Sequence, residues 1–235
     1  NFLAAGERLA QGTTVYLGSW DAIGTVYYAP PLIVVFAGAS LLPGWLVWGL
    51  LVALDIAGLR YLAGSWVRVG WVCLIPITTF QLVSGNPNFA VMAAILAAHR
   101  HHAGPLAWAT MAKLGPLLAL PRVRWREAAV WAAIGAALTL PWLDLWPAWI
   151  AFLDRGAGES GWPVIVPLAY RVPVIIGLLL TRRPAAQTLA AALALPGFYI
   201  VTAFAAGVLT WRLWLDRRRR GADQLRTSAQ SPGPA

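Results

Sequence analysis

Charge is what this chain has least of. Only 11% of its 235 residues are charged, while 59% are hydrophobic. A water-soluble domain carries about 25% charged residues, so too few polar side chains are present to cover a water-facing surface. With a mean hydropathy of +0.65, the composition favours a membrane protein. Cysteine is also scarce: Cys73 is the only one, which excludes an internal disulfide and a cysteine metal site and leaves packing as its role. No P-loop, GxSxG, HExxH or dinucleotide fingerprint is present, so nucleotide, serine-hydrolase and zinc-protease chemistries have no support. His99, His101 and His102 cluster beside Arg100, but adjacent histidines at a basic edge lack further ligands. No metal site and no cofactor are expected.

What charge there is leans basic, with a formal net charge of +9. Much of it is grouped at the ends of apolar segments: Arg122, Arg124 and Arg126, then Arg182 and Arg183, then Arg217 to Arg220. That placement reads as a topology signal before it reads as a nucleic-acid patch, so no nucleic-acid partner is expected. Tryptophans near segment ends, such as Trp20, Trp45, Trp66, Trp125, Trp162, Trp211 and Trp214, suit interfacial anchoring.

Spanning about 30 Å of hydrocarbon takes roughly 20 helical residues. Apolar stretches lie near 30–43, 45–63, 66–83, 87–99, 104–121, 127–150, 162–181, 185–196 and 198–215. Of these, 30–43, 87–99 and 185–196 are too short to span comfortably, and such segments are tolerated only inside protein or along a cavity. The expected fold is all-α: a polytopic transmembrane helical bundle with short, broken or re-entrant helices. If 30–43 dips into one face and 104–121 re-enters from the other, Arg60, Arg68, the histidine-rich turn, Arg122 to Arg126, Arg182, Arg183 and the Arg217 tail all fall on the cytoplasmic side. The positive-inside rule is then obeyed, and residues 1–29, 84–88, 154–162 and 196–199 share the outer face. Three regions follow: an outer amphipathic loop over 1–29, a multi-pass domain over 30–215, and a disordered basic cytoplasmic tail over 216–235. The opening residues are not a signal peptide and read as a loop after an apolar span that would lie before Asn1.

Lys113 is the sole lysine and sits in the apolar run 105–121, two residues before Gly115-Pro116. A charge at the centre of a membrane helix costs about 2.5–3.5 kcal/mol on insertion scales, so it demands a partner or a polar cavity. Arg171, between Pro167 and Pro173, is a second deep cation; snorkelling or pairing with Asp55 or Asp144 is its structural explanation. Together the two cations suit a phosphate, one as a bidentate fork and the other as a point charge. Gly85-Asn86-Pro87-Asn88 interrupts an apolar stretch; either amide would suit a helix N-cap or a sugar hydroxyl. Tyr28 precedes Ala29-Pro30-Pro31 at a helix start, where it suits either an interface or a substrate. Asp21 is the outer-loop carboxylate nearest that point, a candidate general base or simply a solvated acid.

The ordered set AGERLAQGTTVY, YYAPPLIVVFAGASLLP, SGNPNFAVMAAILAA and KLGPLLALPRVRWREA resembles glycosyltransferase family 87, which are integral membrane enzymes of the GT-C fold. That family carries YxYPPL, GQxN and lysine-to-proline elements in this order; here Tyr28-Ala-Pro30-Pro31-Leu32, Gly85-Asn86-Pro87-Asn88 and Lys113-Leu-Gly-Pro116 match them. The resemblance covers roughly residues 1–150. Asn86 stands where the family commonly has glutamine, which shortens that amide's reach. The resemblance implies transfer of a hexose, mannose-like, from a polyprenyl-phosphate donor to a lipid or glycan acceptor on the exoplasmic face of the cell membrane, with inversion. Lys113, Arg171, Asn86, Asn88 and Tyr28 would contact substrate. The family's catalytic aspartate is expected upstream of Asn1, with Asp21 as the weak candidate within the chain. Broken helices with deep charges also suit a transporter or flippase for an anionic lipid-linked substrate, and a non-catalytic membrane assembly factor is a third expectation.

Overall fold

The computed structural model describes residues 2–16, 28–100, 102, 104–113, 116–118, 125–156, 168–181, 183–194 and 200–230. Among these residues every regular element is helical. The helices are α1 (Phe2–Ala10), α2 (Pro30–Ala39), α3 (Gly44–Ala63), α4 (Trp66–Cys73), α5 (Pro76–Val83), α6 (Asn88–Arg100), α7 (Gly104–Ala112), α8 (Trp125–Ala137), α9 (Leu145–Gly156), α10 (Leu168–Leu180), α11 (Pro184–Leu193) and α12 (Ile200–Gln230). The all-α reading holds.

The helix ends follow local chemistry. Pro30 and Pro31 open α2, where a missing N–H costs nothing. α3 stops at Gly64, whose φ of 79° lets its N–H return to the Arg60 carbonyl. The Ser65 hydroxyl then accepts from the Arg68 N–H to start α4. Ile75 takes an extended conformation before Pro76, and α4 and α5 meet at 98°. The apolar stretch 66–83 is therefore a bent pair and not one straight run. The stretch 127–150 is broken too, by a 3-10 turn at Leu140–Trp142 that contains Pro141.

α6 is the centre of the bundle. It packs against α3, α7, α11 and α12, and from Asn88 to Ala98 all its residues but Ala90 and Ala97 are buried. A helix apolar on all sides needs neighbours on all sides. Gly58 makes one of those contacts possible, since a Cβ there would lie 2.6 Å from the Ala90 backbone nitrogen. α3, α6 and α12 run in the same direction: Asp55 meets Ala90 near the start of α6, and Tyr61 meets Arg100 at its end. Likewise Thr202 meets Asn88, and Asp216 meets Arg100. The Gly104 N–H reaches the Glu127 carboxylate at 3.3 Å, so the starts of α7 and α8 lie side by side.

Polar side chains share the interior with the apolar core, and large apolar side chains lie outside. The interior holds Asp55, Thr78, Gln81, Asn88, Arg171, Gln187, Thr188 and Thr202, whereas Trp45, Trp66, Val67, Trp71, Leu74 and Phe80 are each more than 60% exposed. An apolar exterior of this extent marks a surface that faces lipid or protein. By length and composition α3 alone, among the described residues, could cross a membrane as a single helix, and α4 with α5 would add a second only as a bent span.

Two regional expectations are corrected. Residues 1–29 are not loop throughout, because α1 lays Ala5 and Leu9 inward against α2 and Gly6 brings the two backbones together; a Cβ there would sit 2.3 Å from the Phe36 carbonyl oxygen. Residues 216–230 are helical and not a disordered tail. α12 continues through them because arginine, alanine, leucine and glutamine are strong helix formers, and Asp216 pairs with Arg212 at 3.1 Å and with Arg100.

Candidate functional site

Lys113 follows the last residue of α7, and its backbone N–H still bonds to the Ala109 carbonyl. Its ammonium donates to Asn88 Oδ1 at 2.7 Å. Asn88 Nδ2 donates to Gln81 Oε1 at 2.9 Å, and Gln81 Nε2 donates to Asp55 Oδ2 at 3.3 Å and to the Asn86 carbonyl. A line of hydrogen bonds thus runs from cation through two carboxamides to carboxylate. Its direction is forced: an ammonium only donates, so Asn88 must turn its oxygen to Lys113 and its NH2 to Gln81. Every donor along the line points the same way, which lets the bonds reinforce one another in a low-dielectric interior. Thr202 adds a longer contact of 3.5 Å to Asn88 Oδ1.

Asp55 has a second task. Its Oδ1 accepts from the Ala90 N–H at 2.9 Å and its carboxylate also takes the Phe89 N–H. The acid on α3 therefore caps the first turn of α6, where a negative charge is favoured. This revises the expected part played by the two asparagines. No cap bond comes from Asn88, whose amide is spent on Gln81 and Lys113. Asn86 contributes its backbone carbonyl to the line, and its buried Oδ1 has no hydrogen-bond partner among the described residues.

Tyr28 stands beside this line. The Ala29 N–H bonds the Met111 carbonyl at 2.9 Å, which ties the entry to α2 to the end of α7. Tyr16 donates its hydroxyl to the Tyr28 carbonyl at 2.9 Å. Burial pushes the Tyr28 phenol well up, and the Asp55 carboxylate adds to that, so the group stays neutral and able to donate. Burial alone raises Tyr16.

Arg171 is placed apart. It lies only 4% exposed on α10, and its guanidinium donates to the Leu193 carbonyl at the end of α11. Asp55 is engaged by Gln81 and α6, and Asp144 is exposed. Asp21 lies outside the described residues.

The structure brings Lys113, Asn88, Asn86 and Tyr28 together and adds Asp55, Gln81 and Thr202. From the sequence Asp55 is legible only as a partner for Arg171, and Gln81 and Thr202 do not stand out. One signal was present: Asp55 is the sole acid in the apolar run 45–63, as conspicuous by position as Lys113. Among the described residues Lys113 uses one of its three donor positions, leaving the ammonium able to hold an anion. Asn86 offers an unfilled acceptor within the same cluster. Compared with protein-family models, curated proteins and solved structures, the chain matches none.

Proposed function

We propose that the chain is part of an integral membrane glycosyltransferase that moves a hexose from a polyprenyl-phosphate donor to a lipid or glycan acceptor. The supporting observation is the Lys113 ammonium, which sits at the broken end of α7 with spare donor capacity beside the unfilled acceptor of Asn86. An ammonium suits the donor phosphate as a point charge, and it would ease departure of polyprenyl phosphate as negative charge develops. An amide oxygen suits a sugar hydroxyl, and the neutral Tyr28 phenol suits another. Arg171, held on α10 by the Leu193 carbonyl, is left out of this donor contact. The motif order resembling glycosyltransferase family 87 supports the same reading, as does the apolar exterior.

The test is sugar transfer from a polyprenyl-phosphate donor in reconstituted membranes. Lys113→Ala should lower the rate about 10- to 100-fold, the worth of a hydrogen bond to a charged group. Full transfer by a variant that keeps the parent's unfolding midpoint would remove Lys113 from the donor site.

A second reading has its own support. A carboxylate joined to an ammonium through buried amides, beside helices bent at 98°, also suits a carrier for an anionic lipid-linked substrate. Transbilayer movement of the donor lipid in vesicles, without sugar transfer, would favour it.

A further inference from the structure

The opposite end of α6 carries a separate concentration of charge. Arg212 on α12 lies within electrostatic range of Arg68 on α4, Arg100 at the end of α6, Arg219 on its own helix and the carboxylate of Asp216. Asp216 pairs with Arg100 and with Arg212. Arg68 also donates to the Ala63 carbonyl at 3.2 Å, closing the C-terminus of α3. Each guanidinium carries five N–H donors. For these four arginines, the acceptors among the described residues are that one carbonyl and that one carboxylate. The surplus is positive charge and unused donors, which Arg68, Arg100 and Arg212 hold partly out of solvent.

Aromatic rings fix the guanidinium planes. Arg68 lies over Trp211, 5.7 Å from its centroid, and Arg100 over Tyr61 at 5.6 Å. Beside them Arg60 lies over Trp66 at 5.6 Å, and its Nε is buried without a hydrogen-bond partner among the described residues. Arg212 packs onto Gly64 so closely that a Cβ there would fall 2.0 Å from its Nη1. Stacked arginines lose less freedom on binding, and a planar fork matches two oxygens of one phosphate. Around the cluster, Trp66, Val67 and Trp71 are exposed apolar side chains.

From these features the geometry points to a binding site for the phosphate of an anionic phospholipid, held by Arg68, Arg100 and Arg212 with its acyl chains against the exposed face of α4. Basic pockets between helices at a membrane boundary recognise such headgroups. The site is independent of Lys113, and its failure leaves the reading of that residue where it stands.

The experiment uses the full chain in neutral detergent, with phosphatidylglycerol, phosphatidylcholine and inorganic phosphate as probes and bound probe measured by native mass spectrometry. Phosphatidylglycerol should bind at least about tenfold tighter than phosphatidylcholine. An Arg68→Gln/Arg212→Gln variant should lose that preference, while Arg183→Gln, at an exposed position, should keep it. Because Arg212 is packed on Gly64, the single variant Arg68→Gln is measured as well and should weaken binding without unfolding the chain. Equal binding of inorganic phosphate would support the phosphate site with a soluble source. Equal affinity for phosphatidylcholine, or the same loss in Arg183→Gln, would overturn it.

Discussion

At the scale of single residues, Asp55 and Lys113 each answer the other's problem without touching. An isolated charge buried in an apolar bundle is costly, and a direct pair must still offset its desolvation. Here two amides lie between them, so the carboxylate also caps α6 and the ammonium keeps donors in reserve. Asp55→Ala removes the cap and leaves Gln81 and two backbone N–H groups short of an acceptor. It should destabilise the fold by about 1–3 kcal/mol, read as a lower denaturation midpoint. Asp55→Asn, which can still accept, should lose less. A midpoint unchanged in Asp55→Ala would mean the capping bond carries no weight. Lys113 was legible in the sequence because a single lysine in an apolar run stands out. Its partner was not, because Asn88, Gln81 and Asp55 come from three helices and no spacing along the chain links them. The same distance in sequence hid Asp55 as the cap of α6: capping rules look at the adjacent residues, and this cap arrives from α3.

Among elements, breaks matter more than spans. The proline at 76 and the 3-10 turn at Leu140–Trp142 divide stretches whose hydropathy runs on undisturbed. Hydropathy records which residues avoid water, and a bent pair inside an apolar surface avoids it as well as a straight helix does. Proline marked both breaks in the sequence, but the angle between α4 and α5 depends on packing against α3 and α12. Packing is also close where α3 crosses α6. Gly58→Val should force the helices apart, because its Cβ would meet the Ala90 backbone at 2.6 Å, and should lower the unfolding midpoint by about 1–3 kcal/mol equivalent. Gly70, with open space around it, is the control, and Gly70→Ala should be neutral or slightly stabilising. Equal loss in both would place the effect in helix propensity and not in the crossing.

For the whole molecule, the parallel course of α3, α6 and α12 sets two polar centres at opposite ends. Arg68, Arg100 and Arg212 share one end, and Gly85, Asn88 and Lys113 the other. The positive-inside rule alone puts Arg60, Arg68 and Arg100 on one face, and the contacts gather Arg68, Arg100 and Arg212 at one end of α6. Under the proposed membrane reading, the side that each end faces is open to direct measurement. In a Cys73→Ala background, Ser84→Cys should react with an impermeant thiol reagent from outside intact cells, and Arg218→Cys only after permeabilisation. The reverse pattern would invert the orientation.

The 13 residues of α6 measure about 20 Å end to end, well short of the roughly 30 Å of a hydrocarbon core. If its arginine end marks one boundary, Lys113 lies about 10 Å beneath the other. A lipid-linked phosphate normally floats at that boundary, so it would have to sink to meet the ammonium, or the bilayer would have to thin around the bundle. If the bundle sits in a bilayer as proposed, the brevity of one central helix becomes a demand on the surrounding lipid, and a thinner host membrane should make the site easier to reach.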